Sequence, residues 1–335
     1  MIRIAVDAMG GDRGPETIVD GALEAARESG VSLSLVGRED LLREILASRP
    51  EASALDVAIV PADEAVGMGE RPTAALRQRP HASISVAAGE VAAGRAAALF
   101  SAGNTGATVM AAHAAFGMLE GAERPALAVT VPTRRSSAVL LDVGANVACR
   151  PRHLVQFAAM GTVYARLALG VANPRVGLLS TGEEETKGND LTRQAHRLLK
   201  ASGLNFTGNI EARDLYAGGA DVIVCDGFTG NIALKVSEGL VEMIGGLLCD
   251  GAAGLAGGLA PLSGREVFEL FRRRLDDSEF GGVPLLGVAG LALIGHGRSS
   301  VRAVRQGVLA AERFALAGFI ARLQLEIAAS GVSDR

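Results

Sequence analysis

The chain has 335 residues, 49% of them hydrophobic and 21% charged, with 43 glycines and a formal net charge of −4. That is enough apolar material for a large buried core, and the acidic balance excludes a surface built for non-specific nucleic-acid binding. Three cysteines, Cys149, Cys225 and Cys249, have no CxxC spacing and cannot all pair, which excludes a disulfide framework and suits buried structural thiols in a reducing cytoplasm.

Residues 2–6 alternate as a strand, with no leader peptide expected ahead of them. A polar loop, Asp7-Ala-Met-Gly-Gly-Asp-Arg-Gly-Pro15, leads into a helix over 16–28, with Pro15 suited to its first turn. The β-type runs 31–36 and 56–60 flank a helical stretch at 39–47, and helical stretches at 71–79 and 83–93 lead into a strand ending at Ser101. A helix over 107–118 follows. The alternation predicts an α/β unit with a mainly parallel sheet and crossover helices. The runs 126–131 and 138–143 are joined only by 132–137, a link that allows an antiparallel pair and no crossover, so the sheet is mixed. A helix at 151–168, a strand at 175–180, a helix at 190–201 and strands at 204–208 and 221–225 continue the rhythm. It changes at 239–280, read as a helical excursion with a glycine-rich hinge at 251–258, within one unit spanning 1–335. The most apolar stretches, 239–262 and 281–295, are interrupted by Glu242 and Asp250 or too short to cross a bilayer. A single helix over 301–328 closes the chain.

The loop Ser101-Ala-Gly-Asn-Thr-Gly-Ala107 joins strand to helix, where free N–H groups and the positive end of a helix dipole suit an anion. Ser101, Asn104 and Thr105 add donors, while Gly103 and Gly106 allow positive φ or close approach to a ligand. A plain helix cap explains the same residues. The stretch Asp226-Gly-Phe-Thr-Gly-Asn231 echoes it, with Gly227, Thr229 and Gly230 in register with Gly103, Thr105 and Gly106. A third loop after a strand holds Gly182, Glu183, Lys187, Gly188 and Asn189. If the three loops leave one sheet edge, they line one cleft. Lys187 suits a phosphate or a developing oxyanion as a fixed positive charge, and equally a solvated surface position; Lys235 has the same two readings. Asp7, Asp12, Asp142 and Asp226 end or follow apolar runs, where a carboxylate accepts a proton, orients a donor, binds a metal or simply caps a helix. His296, in Gly295-His-Gly-Arg-Ser-Ser300, suits either a cleft or a packed loop. No zinc-ligand spacing, Walker loop, GxGxxG fingerprint or GxSxG elbow is present.

Taken together, Asp7 to Asp12, Ser101 to Ala107, Leu140-Leu-Asp-Val-Gly-Ala-Asn-Val147, Glu183 through Lys187-Gly-Asn189 and Asp226 to Asn231 resemble the bacterial phosphate acyltransferase family, PlsX. The motifs fall in family order across nearly the whole chain. The resemblance implies transfer of a fatty acyl group from acyl carrier protein to inorganic phosphate, giving an acyl phosphate for phospholipid synthesis. It implies a three-layer fold similar to phosphotransacetylases and isopropylmalate-type dehydrogenases, a homodimer, and no metal or other cofactor. Phosphate is then the nucleophile, bound among Ser101, Gly103, Asn104, Thr105, Gly106, Thr229, Gly230 and Asn231. Asp7, Gly10, Gly11, Asp12, Asp142, Asn146, Glu183, Asn189 and Lys235 complete the expected substrate site. Lys187 stabilises anionic charge, and either His296 or Asp226 protonates the departing thiolate. A phosphotransacetylase using acyl-coenzyme A and a non-catalytic acyl- or phosphate-binding regulator are the alternatives. Within the excursion, Phe268, Phe271 and Leu275 share a helical face beside Arg272, Arg273 and Arg274. That pattern suits the carrier protein or the inner face of the membrane, or simply core packing. Phe280 and Arg298 depart from the family's usual tyrosine and serine.

Overall fold

The computed structural model describes residues 2–254 and 282–329. In chain order these build β1 (Arg3–Asp7), α1 (Pro15–Ser29), β2 (Ser32–Gly37), α2 (Glu39–Ala47), β3 (Val57–Pro61), α3 (Pro72–Gln78), α4 (Ser83–Ala92) and β4 (Ala98–Ser101). Then come α5 (Thr105–Phe116), β5 (Ala126–Pro132), β6 (Ser137–Leu141), α6 (Pro151–Ala168), β7 (Val176–Ser180), α7 (Asp190–Lys200), β8 (Phe206–Glu211) and β9 (Val222–Val224). The remainder is α8 (Gly227–Gly254), β10 (Val283–Leu286), β11 (Leu291–Ile294), α9 (Val301–Leu316) and α10 (Phe319–Ala329).

The strands form one sheet in the order β3-β2-β1-β4-β11-β10-β5-β6-β9-β7-β8. The first five run parallel, as do the last four. Between them the chain direction reverses three times, since β10 is antiparallel to both β11 and β5, and β5 to β6. The two parallel halves therefore point in opposite directions. Loops after β1, β4 and β11 leave one edge of the sheet, and loops after β6, β9 and β7 leave the other. The expectation of three loops lining one edge is corrected: the short 132–137 link turns the sheet around, so the Ser101 loop is parted from the other two.

Helices cover both faces, giving the three layers expected. Apolar positions of α1, α6, α9 and α10 fill one face, and those of α3, α4 and α5 the other. Gly21 of α1 lets α9 approach closely, because a Cβ there would stand 2.6 Å from the Val301 carbonyl oxygen. Tyr164, Phe314 and Phe319 pack with ring centroids 5.1–6.3 Å apart, and the Tyr164 hydroxyl meets Thr130 Oγ1 on β5 at 3.0 Å. The aromatic body is buried and its polar tip is satisfied.

Three boundaries differ from the sequence reading. The hairpin β10–β11 lies inside an apolar stretch too short and uniform to show strand alternation. The closing helix is two helices, broken where Gly318 takes φ 63°. The helix expected from 239 begins at Gly227, directly after β9. Phe268, Phe271, Arg272, Arg273, Arg274 and Phe280 lie outside the described residues. No helix among the described residues is long and apolar enough to cross a membrane.

Candidate active site

On the first edge, Asp7 and Ser101 end neighbouring strands. Ser101 Oγ donates to Asp7 Oδ2 at 2.8 Å and accepts from the Gly103 N–H at 3.1 Å. Asp7 is 3% exposed and, among the described residues, its Oδ1 has no hydrogen-bond partner; burial pushes its pKa up, against the lowering hydrogen bond of Ser101. The loops here pack on each other. A Cβ on Gly10 would stand 2.7 Å from Gly103 N, and one on Gly106 2.7 Å from Pro72 Cγ. Gly103 and Gly106 thus serve close approach to protein, and neither is among the positive-φ glycines; Gly11 is, at φ 98°. Asn104 caps α5 through Oδ1 to Ala107 N, while its Nδ2 donates to the carbonyls of Gly67, Met68 and Glu70. Its side chain is therefore a tie between loops. Thr105 and Asp12 are exposed, and Asp12 N donates to the Gly297 carbonyl at 2.7 Å. His296 is exposed and accepts from Arg298 N at 3.1 Å through Nδ1.

On the second edge, Asp142 is the anchor. Its Oδ1 accepts from the N–H groups of Leu127, Gly144 and Ala145, and Oδ2 from Asn146 N and Nδ2, at 2.7–3.2 Å. Burial raises its pKa and these N–H donors oppose the rise. Asn146 is buried and also donates to the Pro125 carbonyl. Both residues are scaffold. The first turn of α8 sits directly on them: a Cβ on Gly227 would stand 2.6 Å from the Asn146 carbonyl oxygen, and one on Gly230 would overlap that of Asp142. Asp226 caps α8, accepting from Thr229 N at 2.9 Å and from Thr229 Oγ1 at 2.8 Å. Asn231 faces Gly144, and Lys235 is exposed one turn further on.

The loop after β7 shares this edge, because β9 lies between β6 and β7. Asn189 Oδ1 caps α7 by accepting from Thr192 N at 2.9 Å. Glu183 and Lys187 are exposed, and Lys187 N donates to the Glu184 carbonyl at 3.0 Å. Among the described residues the Lys187 ammonium has no hydrogen-bond or ion-pair partner, whereas neighbouring Glu185 is paired with Lys200. This edge therefore combines a free ammonium with the N-termini of α7 and α8, whose dipoles favour a bound anion. Among the described residues no cluster of three or more His, Cys, Asp or Glu side chains suits a metal.

Lys187, Asp226, Thr229, Gly230, Asn231, Asp142, Asn146, Glu183, Asn189 and Lys235 thus gather at one edge. Asp7, Gly10, Gly11, Asp12, Ser101, Gly103, Asn104, Thr105, Gly106 and His296 gather at the other. Sequence reasoning passed over His196 and Asn209, which lie beneath the Lys187 loop; they come from α7 and β8 and share no motif.

Residues 2–322 match the family described as fatty acid synthesis protein. The chain belongs to this family. It is 47% identical over 327 residues to a phosphate acyltransferase of Acidobacterium capsulatum, covering 97% of either chain. To that of Geobacter sulfurreducens it is 46% identical, covering 96% of this chain and 93% of the relative. Its fold is similar to a phosphotransacetylase from Streptococcus pyogenes, with TM-score 0.66 at 16% identity over 94% of both chains. A phosphotransacetylase from Staphylococcus aureus superposes with TM-score 0.59 at 15% identity. The mixed, mostly parallel sheet is the fold these share.

Proposed function

We propose that this chain, by family a phosphate acyltransferase of lipid synthesis, takes its fatty acyl group from acyl carrier protein. It passes that group to inorganic phosphate at the edge carrying Lys187, Thr229 and Asn231. The observation that supports the placement is the Lys187 ammonium, without a partner among the described residues, on the same edge as two helix N-termini. A phosphate oxygen attacks the thioester carbonyl, the carbon–sulfur bond breaks, and acyl phosphate and the carrier thiol leave. Lys187 and the N–H groups offset the charge of the tetrahedral oxyanion. Of the two proton donors considered, Asp226 shares the edge with Lys187 and His296 stands on the other.

The reading includes a homodimer. Phe228, Ile232, Val236, Leu240, Met243 and Leu247 recur on one face of α8 and are 47–65% exposed, an apolar stripe that a soluble monomer rarely leaves open. It also includes contact with the cytoplasmic face of the membrane through Phe268, Phe271, Arg272, Arg273 and Arg274, supported by their sequence pattern alone.

The test supplies palmitoyl-acyl carrier protein and phosphate and looks for hydroxylamine-sensitive acyl phosphate. Free fatty acid as sole product would make the chain a thioesterase, and faster turnover of palmitoyl-coenzyme A would overturn the carrier-protein assignment.

A further inference from the structure

Two buried polar side chains beneath the Lys187 loop have no part in the chemistry above. His196 on α7 is 4% exposed and Asn209 on β8 is 7% exposed. His196 Nδ1 lies 2.9 Å from Asn209 Oδ1, and Asn209 Nδ2 donates to the Glu184 carbonyl at 2.9 Å. With the amide nitrogen engaged by that carbonyl, the amide oxygen accepts from the ring and Nδ1 carries the hydrogen. The ring's other nitrogen is 3.4 Å from Glu185 Oε1, which Lys200 Nζ also holds at 2.6 Å. Phe206 stands edge-on to the imidazole, with centroids 5.0 Å apart at 78°, and limits its rotation.

The imidazole is thereby linked through Asn209 to the Glu184 carbonyl, while its Nε2, the acceptor nitrogen of the neutral ring, lies beside the Glu185 carboxylate without a hydrogen to give it. The same Glu184 carbonyl accepts from Lys187 N at 3.0 Å, so the path ends on the lysine's own backbone. Residues 183–187 are all exposed, and this polar pair supplies the buried end of their support. For apolar packing alone, a buried position on an amphipathic helix is better served by leucine, which needs no hydrogen-bond partner.

We infer that His196 and Asn209 are positioning residues for acyl transfer, holding Lys187 in place through the Glu184 carbonyl. The inference rests on the role proposed for Lys187. Three variants test it in the phosphate-dependent acyl-carrier-protein assay. His196→Leu fills the space without the ring donor, His196→Asn keeps an amide nitrogen near the place of Nδ1, and Asn209→Asp keeps the acceptor for His196 but loses the donor to Glu184.

The expected result is a fall in kcat on the order of 10-fold to 100-fold for His196→Leu and Asn209→Asp, the scale of a misplaced catalytic group. KM for phosphate should stay within about twofold, and His196→Asn should recover most of the loss. Simple core packing gives the opposite order, with leucine tolerated and asparagine impaired; that order, or parental kcat in Asn209→Asp, overturns the inference. Lys187→Met, measured alongside, separates the two claims. Parental turnover in that variant removes the lysine role itself, whereas its inactivity beside an unaffected Asn209→Asp removes only the positioning pair.

Discussion

Replacing Gly230 by alanine sets two effects of known sign against each other. In a helix interior, alanine is favoured over glycine by about 0.8–1 kcal/mol. At this place the added methyl overlaps the Asp142 carbonyl oxygen and comes within 2.9 Å of Cys225 Sγ. Neither neighbour yields readily, since Asp142 is held by N–H donors from four residues and Cys225 is 2% exposed. The first turn of α8 must lift by roughly an ångström to restore ordinary contact. Overpacking of this kind costs about 1–3 kcal/mol, so set against the helix-propensity gain the net effect is a loss of up to about 2 kcal/mol. Gly239 on the same helix is exposed with nothing within 4 Å of an added Cβ, and Gly239→Ala should gain up to about 1 kcal/mol. Because the chain has no tryptophan, urea unfolding is best followed by circular dichroism. Gly230→Ala should fall below the parent and Gly239→Ala should match or exceed it. A Gly230→Ala protein as stable as Gly239→Ala would refute the packing argument. The lifted turn also carries Thr229 and Asn231, so turnover should drop with stability.

Lys187→Ala should reduce acyl-phosphate formation by about 10²–10³, the cost of one oxyanion donor, with an unchanged circular dichroism spectrum; parental turnover would remove the residue from the reaction. Asp142→Ala strands several buried N–H groups at about 1–3 kcal/mol each and should abolish soluble expression. Burial pushes the Asp221 carboxyl up, but the hydrogen bonds and charge of Arg175 outweigh it and hold its pKa below the ordinary 3.8. A depressed carboxyl contributes stability that is present above the unfolded value and lost as pH falls through the folded one. The deficit of Asp221→Asn should therefore hold constant from pH 7 to 5 and close only below about pH 4; closure already at pH 5 would contradict the pairing. Burial also raises the Cys149 thiol to about 11 and Cys225 well above its usual range. In a Cys249→Ser background, a disulfide-exchange reagent at pH 8 should consequently label neither until the chain unfolds.

Most of the fold was legible because local pattern and tertiary role agree. The strands ending at Asp7, Ser101 and Ser180 are short apolar runs stopped by polar turns, and their neighbouring helices carry apolar faces. Where polar boundaries were missing, reading failed: β10 and β11 lie in one apolar stretch and are separated only by Gly287-Val-Ala-Gly290, so no polar turn marks where either strand stops. The glycine motifs were legible as close-approach positions, yet the object approached is another loop, a fact that depends on strand order. Strand order also decides that Ser101 and Asn231 belong to opposite edges, although their loops share Gly-x-Thr-Gly in register. His196 and Asn209 were invisible for the complementary reason, since a contact between a helix and the next strand leaves no spacing rule in the chain.

The hairpin β10–β11 has a bearing on how the chain is made. It is drawn from residues 283–294 yet sits in the middle of the sheet, between β4, which ends at Ser101, and β5, which starts at Ala126. During synthesis both of those strands emerge well before the pair that joins them. Each must wait with an unpaired apolar edge, the arrangement most open to association between nascent chains. The joining step closes loops of more than a hundred residues, and such long-range pairing is slow to form. The emergence of residues 283–294, rather than of either half, is thus the moment at which this sheet can become continuous, and a chain cut short before residue 283 would keep two sticky half-sheets.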